Sequence, residues 1–287
     1  MEEIESAPSP TGAGTISPST AATATSWIRS KAMAYIDLRG HQTWSVEYPN
    51  NGAPLLLLHG GLSATENFDY HILPAIADRF HVYGYDRTAH GRTGMREGFY
   101  HFNFQRDEAI AYIEDVIGAP THLLGHSDGG IIALMVAIAR PDLVLSIIAT
   151  GANYTWDSKL TLDSEVIITD DNRAEFAERS PDAPEMLRVI IQKAHDVWAT
   201  EPNITLAELA TITCPVLVVN GDDEPFSPYH GVDLYEALPD GRLAIIPGSP
   251  HATHKIKPHL LHPIIKDFYD HPEPRGESNP FREVPGE

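Results

Sequence analysis

One serine of the chain lies in a pattern that prepares a hydroxyl for attack on a carbonyl. Residues 125–129 read Gly-His-Ser-Asp-Gly, a pentapeptide in which a tight turn holds the serine hydroxyl clear of the preceding strand. Residues 121–124 before it are typical of a strand, and residues 131–139 after it are typical of an apolar helix. This context distinguishes the pattern from a glycine-rich turn with an incidental serine. It predicts that Ser127 is a nucleophile.

A histidine follows the last apolar run of the chain, where a general base is expected. Residues 242–246 predict the final strand, and the loop after it leads to His251. Where such a turn carries the nucleophile, the base comes last in the chain, so His251 is predicted to take the proton from Ser127. His254 is the alternative base. No metal site is predicted on these two histidines, because no carboxylate or cysteine pattern with ligand spacing accompanies them.

Three adjacent carboxylates are candidates to orient that histidine. Residues 216–221 predict a strand, and Asp222, Asp223 and Glu224 follow it directly. One of them is expected to hydrogen-bond the imidazole of His251 and to stabilise its charged form. The other two are expected to lie in a solvated turn. The spacing alone leaves the choice among the three open.

A glycine-rich loop after an earlier strand completes the predicted site. Residues 58–61 read Leu-His-Gly-Gly and end the apolar run that begins at residue 54. A backbone N–H from such a loop binds an oxyanion together with the N–H of the residue after the nucleophile. We therefore predict Gly61 and Asp128 as the oxyanion donors. His59 is predicted to be structural, since the base is expected later in the chain.

The side chain of Asp128 has two interpretations. Beside a nucleophile, a carboxylate is suited to bind a cationic group of a substrate, such as an α-amine. Acidic residues are also common in the first turn of a helix because they favour the positive end of its dipole, and there they face solvent or cap nearby backbone. The sequence leaves both interpretations open.

The elements that must position these residues alternate between short apolar runs and longer amphipathic ones. This alternation is typical of an α/β fold with a mostly parallel central sheet flanked by helices. Strands are predicted at residues 33–38, 42–48, 54–58, 80–85, 121–124, 143–150, 215–220 and 242–246, and helices at 68–78, 104–117, from 127, at 229–237 and at 260–269. Residues 152–213 break the alternation with helical stretches, of which 185–200 is the clearest, and are predicted to form an inserted helical cap.

The domain organisation follows from this pattern. Residues 27–151 and 214–270 are predicted to form the core on either side of the cap. Residues 1–26 and 271–287 contain few bulky apolar side chains, so they are predicted to be a flexible leader and a flexible tail.

Composition excludes several classes of partner. The 287 residues include 40 acidic and 20 basic side chains, which give a formal net charge of −20. Like charges repel, so neither nucleic acid nor an anionic membrane surface is expected as a partner. No apolar stretch approaches the roughly 18 residues of a membrane span, and the acidic N-terminus is unlike a signal peptide. The expectation is a cytoplasmic protein acting on a small-molecule substrate, with no indication of its oligomeric state.

The segment 31–270 resembles the α/β-hydrolase superfamily, above all its small serine esterase, haloperoxidase-like and valacyclovir-hydrolase-like branches. The resemblance is carried by Ser-Asp-Gly-Gly at 127–130 and by the position of His251. Residues 85–93 also resemble the Asp-x-Arg-Gly-x-Gly-x-Ser stretch of those families, although Thr88, Ala89 and Thr93 depart from it. The resemblance implies the α/β-hydrolase fold. No organic cofactor is expected, because the sequence has no Gly-rich phosphate loop or dinucleotide fingerprint. The resemblance also implies an acid three residues after Gly221, which is Glu224. Relatives usually carry Asp there, so Asp222 and Asp223 remain alternatives.

The same resemblance implies the reaction. A serine nucleophile is unlike the aspartate-dependent dehalogenases and epoxide hydrolases of the superfamily. The predicted function is hydrolysis of a small-molecule carboxylic ester, or a lactone or thioester-like bond, through an acyl-enzyme on Ser127. Carbon–carbon bond hydrolysis and perhydrolysis can use the same three side chains. A non-catalytic receptor on this fold is a further alternative, against which the intact serine, acid and histidine argue.

Overall fold

A single eight-stranded sheet organises the chain. The computed structural model describes residues 30–97, 100–156 and 168–272. The strands are β1 (Ala32–Leu38), β2 (His41–Tyr48), β3 (Pro54–Leu58), β4 (His81–Tyr85), β5 (Thr121–His126), β6 (Val144–Thr150), β7 (Val216–Asp223) and β8 (Gly241–Pro250). Their order is β1-β2-β4-β3-β5-β6-β7-β8. The β1–β2 and β2–β4 pairs are antiparallel, and the other five pairs are parallel. The prediction of a mostly parallel α/β sheet is therefore confirmed.

Helices cover both faces of the sheet. They are α1 (Leu73–Ile76), α2 (Phe102–Tyr112), α3 (Asp128–Ala139), α4 (Asp170–Arg179), α5 (Met186–Trp198), α6 (Leu206–Leu209), α7 (Tyr229–Ala237), α8 (Thr253–Ile256) and α9 (Pro258–Asp270), with a π-helical turn at Ile113–Ile117 and 3₁₀ turns at Thr65–Phe68 and Pro141–Leu143. Apolar side chains of α2, α3 and α7 pack on one face, and those of α1 and α9 on the other. In the part of the chain that the structure describes, no helix has the length and apolar character needed to cross a membrane.

The central strand β3 shows why the sheet is buried on both sides. Its side chains from Leu55 to Leu58 are at most 1% exposed, which fits a continuous apolar run in a parallel sheet covered on both faces. Burying one leucine side chain stabilises the fold by about 1.5–3 kcal/mol. β3 therefore anchors the loop that follows it, which is the loop predicted to supply an oxyanion donor.

One predicted element is wrong. Residues 68–78 were expected to form a helix, but the structure has a 3₁₀ turn at Thr65–Phe68 and then the short helix Leu73–Ile76. Pro74 lies in the first turn of that helix. Its missing N–H and its ring prevent the helix from extending further towards the N-terminus. The remaining predicted strands and helices are present. The helix predicted at 104–117 continues beyond Tyr112 as a π-helical turn, and the other ends are shifted by up to four residues.

In the described part of the segment between β6 and β7, which is the segment predicted as a cap, the structure has three helices, α4, α5 and α6. α5 buries Leu187, Ile190, Ile191, Ala194 and Val197, a spacing of three and four residues that places them on one helix face. Three of these side chains join the same apolar cluster as α3. The inserted helices are therefore packed on the core. The predicted leader, the tail from residue 273 and residues 157–167 of the predicted cap lie outside the described residues.

Candidate active site

Ser127 lies in a strained turn between β5 and α3. Its backbone angles are φ 55° and ψ −123°, a conformation that a residue with a side chain adopts only when its surroundings impose it. The flanking glycines make the turn possible. A Cβ at Gly125 would collide with the backbone of Gly129, and one at Gly129 would collide with the carbonyl of Leu58. The turn thus packs against the end of β3 and presents the serine side chain at the edge of the sheet.

Two hydrogen bonds connect three of the predicted site residues. Nε2 of His251 lies 2.9 Å from Oγ of Ser127, and Nδ1 of His251 lies 2.5 Å from Oε2 of Glu224. The Glu224 side chain is only 2% exposed, and its other oxygen accepts the N–H of Gly221 at 2.9 Å. With Nδ1–H donating to the carboxylate, Nε2 is left to accept the hydroxyl proton, which is the tautomer that a general base requires.

The other candidates at this position make different contacts. The Asp222 carboxylate accepts the N–H groups of Gly248 and Ser249 at 2.9 and 3.0 Å, so it ties β7 to β8. These bonds hold the pKa of Asp222 below its ordinary value. Asp223 is exposed. Of the three acids that the spacing left open, Glu224 is the one that contacts His251.

The topology brings these residues together because they follow parallel strands. Ser127 comes after β5, Glu224 after β7 and His251 after β8, and the carboxyl ends of parallel strands lie at one edge of a sheet. β7 and β8 are neighbours whose register shifts between Gly221 and Asp223. Glu224 and His251, 27 residues apart in sequence, therefore meet at that edge.

The two segments predicted to supply oxyanion donors lie side by side. A Cβ at Gly60 would lie 3.3 Å from Cβ of Ser127, and one at Gly61 would lie 2.5 Å from Oδ2 of Asp128. His59 is buried away from Ser127. Its Nε2 accepts the backbone N–H of Arg87 at 3.1 Å, and its Nδ1–H donates to the carbonyl of Gly60 at 2.8 Å. His59 therefore shapes the loop, as a structural histidine would.

The Asp128 carboxylate is bound by the protein's own side chains. It is 6% exposed and accepts the indole N–H of Trp198, on α5, at 3.0 Å. The guanidinium of Arg87, which is fully buried, lies 3.9 Å away and donates to the carbonyl of Gly60 at 2.9 Å. Burial raises the pKa of Asp128, while the positive charge of Arg87 opposes that shift.

This arrangement is unlike a carboxylate that faces solvent, one of the alternatives drawn from the sequence. The carboxylate does not face solvent, and a cation of the protein already lies beside it. Its contacts join the nucleophile turn, the loop at Gly60 and the inserted helix α5. Arg87 belongs to the stretch at residues 85–93 noted in the sequence, but no sequence signal identified Trp198 as a partner of Asp128.

A family model matches most of the chain. Residues 55–261 match the model of the alpha/beta hydrolase family, and the matched range includes every residue of the site. The chain belongs to the alpha/beta hydrolase family. Its eight-stranded, mostly parallel sheet and flanking helices are the fold that the resemblance implied.

Relatives of this alpha/beta hydrolase carry different names. The 2-(acetamidomethylene)succinate hydrolase of Mesorhizobium japonicum is 24% identical over 260 residues, which cover 80% of this chain and 93% of that protein. Serine hydrolase BPHL of Mus musculus is 26% identical over 231 residues, covering 75% and 78%. A crystal structure of E-2-(acetamidomethylene)succinate hydrolase matches with a TM-score of 0.67 at 20% identity, over 84% of this chain and 99% of that one. At that identity the structural likeness supports the fold alone.

Neutral imidazoles adjoin His251 in this hydrolase. The ring of His126 lies 4.9 Å from that of His251 and 4.4 Å from that of His254. Burial lowers the pKa of His254 to about 3, and burial and the nearby histidines lower that of His126 well below its ordinary value. His254, the alternative base, thus contacts His126 rather than the nucleophile. Among the side chains that the structure describes, no three His, Cys, Asp or Glu groups are arranged as metal ligands.

Because His254 is buried, we expect the protein to lose folding stability in acid, and we expect replacement of His254 to reduce that loss. The unfolded chain takes up a proton at this residue below about pH 6.5, whereas the folded chain does so only near pH 3. Falling pH therefore favours unfolding across that window, by about 2 kcal/mol between pH 7 and pH 5 for this one group. Urea unfolding at both pH values is expected to show a smaller loss for His254→Phe by about that amount. Equal losses in variant and wild type would rule the effect out.

Proposed function

We propose that this hydrolase cleaves small-molecule carboxylic esters through an acyl-enzyme on Ser127. The observation that carries the proposal is the continuous chain of hydrogen bonds from Glu224 through His251 to the Ser127 hydroxyl, with distances of 2.5 and 2.9 Å. A hydroxyl so placed at a tight strand-to-helix turn is the arrangement that makes serine a nucleophile.

The first half of the reaction transfers the acyl group. Nε2 of His251 accepts the Ser127 proton as Oγ attacks the carbonyl carbon, and the carbonyl oxygen becomes an oxyanion. The backbone N–H groups of Gly61 and Asp128 bind that oxyanion. The carbon–oxygen bond to the leaving group then breaks, His251 returns its proton to the departing alkoxide, and an ester on Ser127 remains.

The second half releases the acid. His251 accepts a proton from water as the water oxygen attacks the acyl-enzyme, and a second oxyanion forms in the same place. When it collapses, the bond to Oγ breaks, the proton returns to Ser127 and the carboxylic acid leaves. Glu224 holds the imidazole in its tautomer and stabilises its charged form in both halves. Lactones and thioesters follow the same two steps.

The experiment is hydrolysis of p-nitrophenyl esters from acetate to octanoate, followed by release of p-nitrophenolate. We expect turnover with one optimum in chain length, because a shaped site stabilises the transition state of the chain that fits it. Absence of turnover together with labelling by a fluorophosphonate probe would favour carbon–carbon hydrolysis or perhydrolysis. Absence of both would favour a non-catalytic receptor.

A further inference from the structure

A cavity of about 250 Å³ lies between the sheet edge and the inserted helices. Its walls are residues 62–64, which follow the loop of Gly60 and Gly61, residues 89–91 after β4, and side chains of α4 and α5. Five bulky apolar side chains line it: Leu62, Phe176, Leu187, Ile190 and Ile191. A mostly apolar cavity with a few polar groups is the usual character of a small-molecule site.

The cavity begins one residue away from the predicted oxyanion donor, because Leu62 lines it and directly follows Gly61. Ser127 and His251 are not among the described residues that line it. Trp198 connects the two regions. Its indole donates to Asp128 at 3.0 Å, and its ring lies 5.6 Å from that of His195, which lines the cavity.

The positive charge in the cavity wall is already neutralised. Arg179 is the one lysine or arginine among the described residues that line the cavity. Its guanidinium bonds the Glu175 carboxylate at 2.6 Å and also pairs with Glu66. Glu66 in turn accepts from Arg92 at 3.0 Å. The charges of the two arginines and the two glutamates thus cancel. This group of side chains offers no net positive charge to a substrate carboxylate.

The nearby buried groups present no cation to the cavity. His90 lines the cavity, and burial together with the charge of Arg87 lowers its pKa to about 3, so its ring is neutral near pH 7. Arg87 is 0% exposed and is not among the described residues that line the cavity, so its guanidinium presents no surface to a bound chain. A carboxylate placed in this cavity would lose its hydration without gaining an unpaired cation, which is strongly unfavourable.

We propose that this cavity binds the uncharged, apolar chain of a neutral ester and excludes a substrate that carries a carboxylate there. The inference rests on the proposed function, since it names the substrate class of the same site. The name of one relative, 2-(acetamidomethylene)succinate hydrolase, describes a dicarboxylate substrate. The proposal predicts that a substrate with a carboxylate in this cavity is a poor one for this chain.

Three esters of equal acyl length test the charge selection at pH 8, above the ordinary pKa of histidine. They are p-nitrophenyl hexanoate, the mono-p-nitrophenyl ester of adipic acid, and its methyl ester, in which the carboxylate is masked. We expect kcat/KM for the adipate monoester to be at least 100-fold below that for hexanoate, and the methyl ester to recover most of the loss. Equal values for hexanoate and the adipate monoester would overturn the proposal.

Two variants test whether neutralised Arg179 is the cause. Glu175→Gln and Glu66→Gln each remove one of its partners and leave net positive charge at the cavity wall. Each is expected to raise the adipate-to-hexanoate ratio of kcat/KM at least tenfold. Glu178→Gln is the matched control, because it removes the same charge from an exposed position of α4 outside the cavity. An equal rise in the control would overturn the assignment to Arg179.

A binding experiment separates failure of this inference from failure of the proposed function. Hexanamide and adipic acid monoamide carry the same two chains without a bond that the enzyme is proposed to cleave rapidly. Calorimetric titration of Ser127→Ala is expected to give a dissociation constant at least tenfold lower for hexanamide. That result supports the cavity's selectivity even if no ester is hydrolysed. Equal binding of both, tighter binding of the acid or binding of neither contradicts it.

Discussion

Replacing Ser127 with alanine is expected to reduce kcat/KM for the best p-nitrophenyl ester by roughly 10⁴- to 10⁶-fold. The substitution removes the atom that attacks the carbonyl, and neither His251 nor the oxyanion donors can form the covalent intermediate without it. Only the catalysis provided by binding and by the oxyanion site remains. The measurement is release of p-nitrophenolate by wild type and variant at equal concentration.

The control for this variant is another serine of the sheet. Ser146 lies near the start of β6, at the opposite edge, where its buried hydroxyl bonds the ring of His122 at 2.7 Å. Ser146→Ala is expected to lower stability while leaving the activity of the folded protein unchanged. If Ser127→Ala retained more than about 1% of wild-type kcat/KM with a native circular dichroism spectrum, another residue would have to be the nucleophile.

Glu224→Gln is expected to reduce kcat by about 10³- to 10⁴-fold, the scale of the loss when the acid of a serine triad becomes an amide. An amide carries no charge to stabilise the protonated imidazole, and it allows the wrong tautomer of His251. Glu224→Asp keeps the charge but shortens the side chain by one methylene, which lengthens the 2.5 Å contact. We expect Glu224→Asp to recover part of the activity that Glu224→Gln loses, because the aspartate carries the negative charge but lies farther from Nδ1 of His251.

The neighbouring acids provide the comparison for Glu224. Asp223→Asn changes an exposed carboxylate, whereas the carboxylate that bonds His251 belongs to Glu224. The substitution is expected to leave kcat within about twofold, which corresponds to about 0.4 kcal/mol in the activation free energy. Asp222→Asn weakens the bonds to Gly248 and Ser249, so its main expected effect is on stability. The same initial-rate assay measures all of them. A loss in Asp223→Asn as large as that in Glu224→Gln would contradict the geometry.

The turn at Ser127 and the position of His251 could be predicted from the sequence, because each is identified by the residues next to it. The glycines around Ser127 are required by close backbone approach, and His251 directly follows an apolar strand. Both signals lie within a few residues of the side chain that they identify. The same is true of β3, whose uninterrupted apolar run predicted a strand buried on both faces.

The acid could not be singled out from the residues alone. Asp222, Asp223 and Glu224 are adjacent, and strand periodicity would turn alternate side chains to opposite faces. The register shift between Gly221 and Asp223 breaks that periodicity at the deciding position. Only the resemblance to a family favoured Glu224, and only the folded chain shows its contact with His251.

The surroundings of Asp128 could not be predicted for a different reason. Its partner Trp198 is 70 residues away in sequence, on a helix inserted between β6 and β7, and no local pattern encodes how that helix docks. The shortened helix at Leu73–Ile76, by contrast, follows from Pro74, a local signal that an apolar periodicity alone does not reveal.

The most direct test of the proposed mechanism is the mass of the protein during turnover. Wild type mixed with excess p-nitrophenyl hexanoate and quenched in acid within milliseconds is expected to gain the mass of one hexanoyl group, carried by the peptide that contains Ser127. Ser127→Ala is expected to gain none. Modification of a different peptide, or an equal gain of mass in Ser127→Ala, would contradict an acyl-enzyme on Ser127.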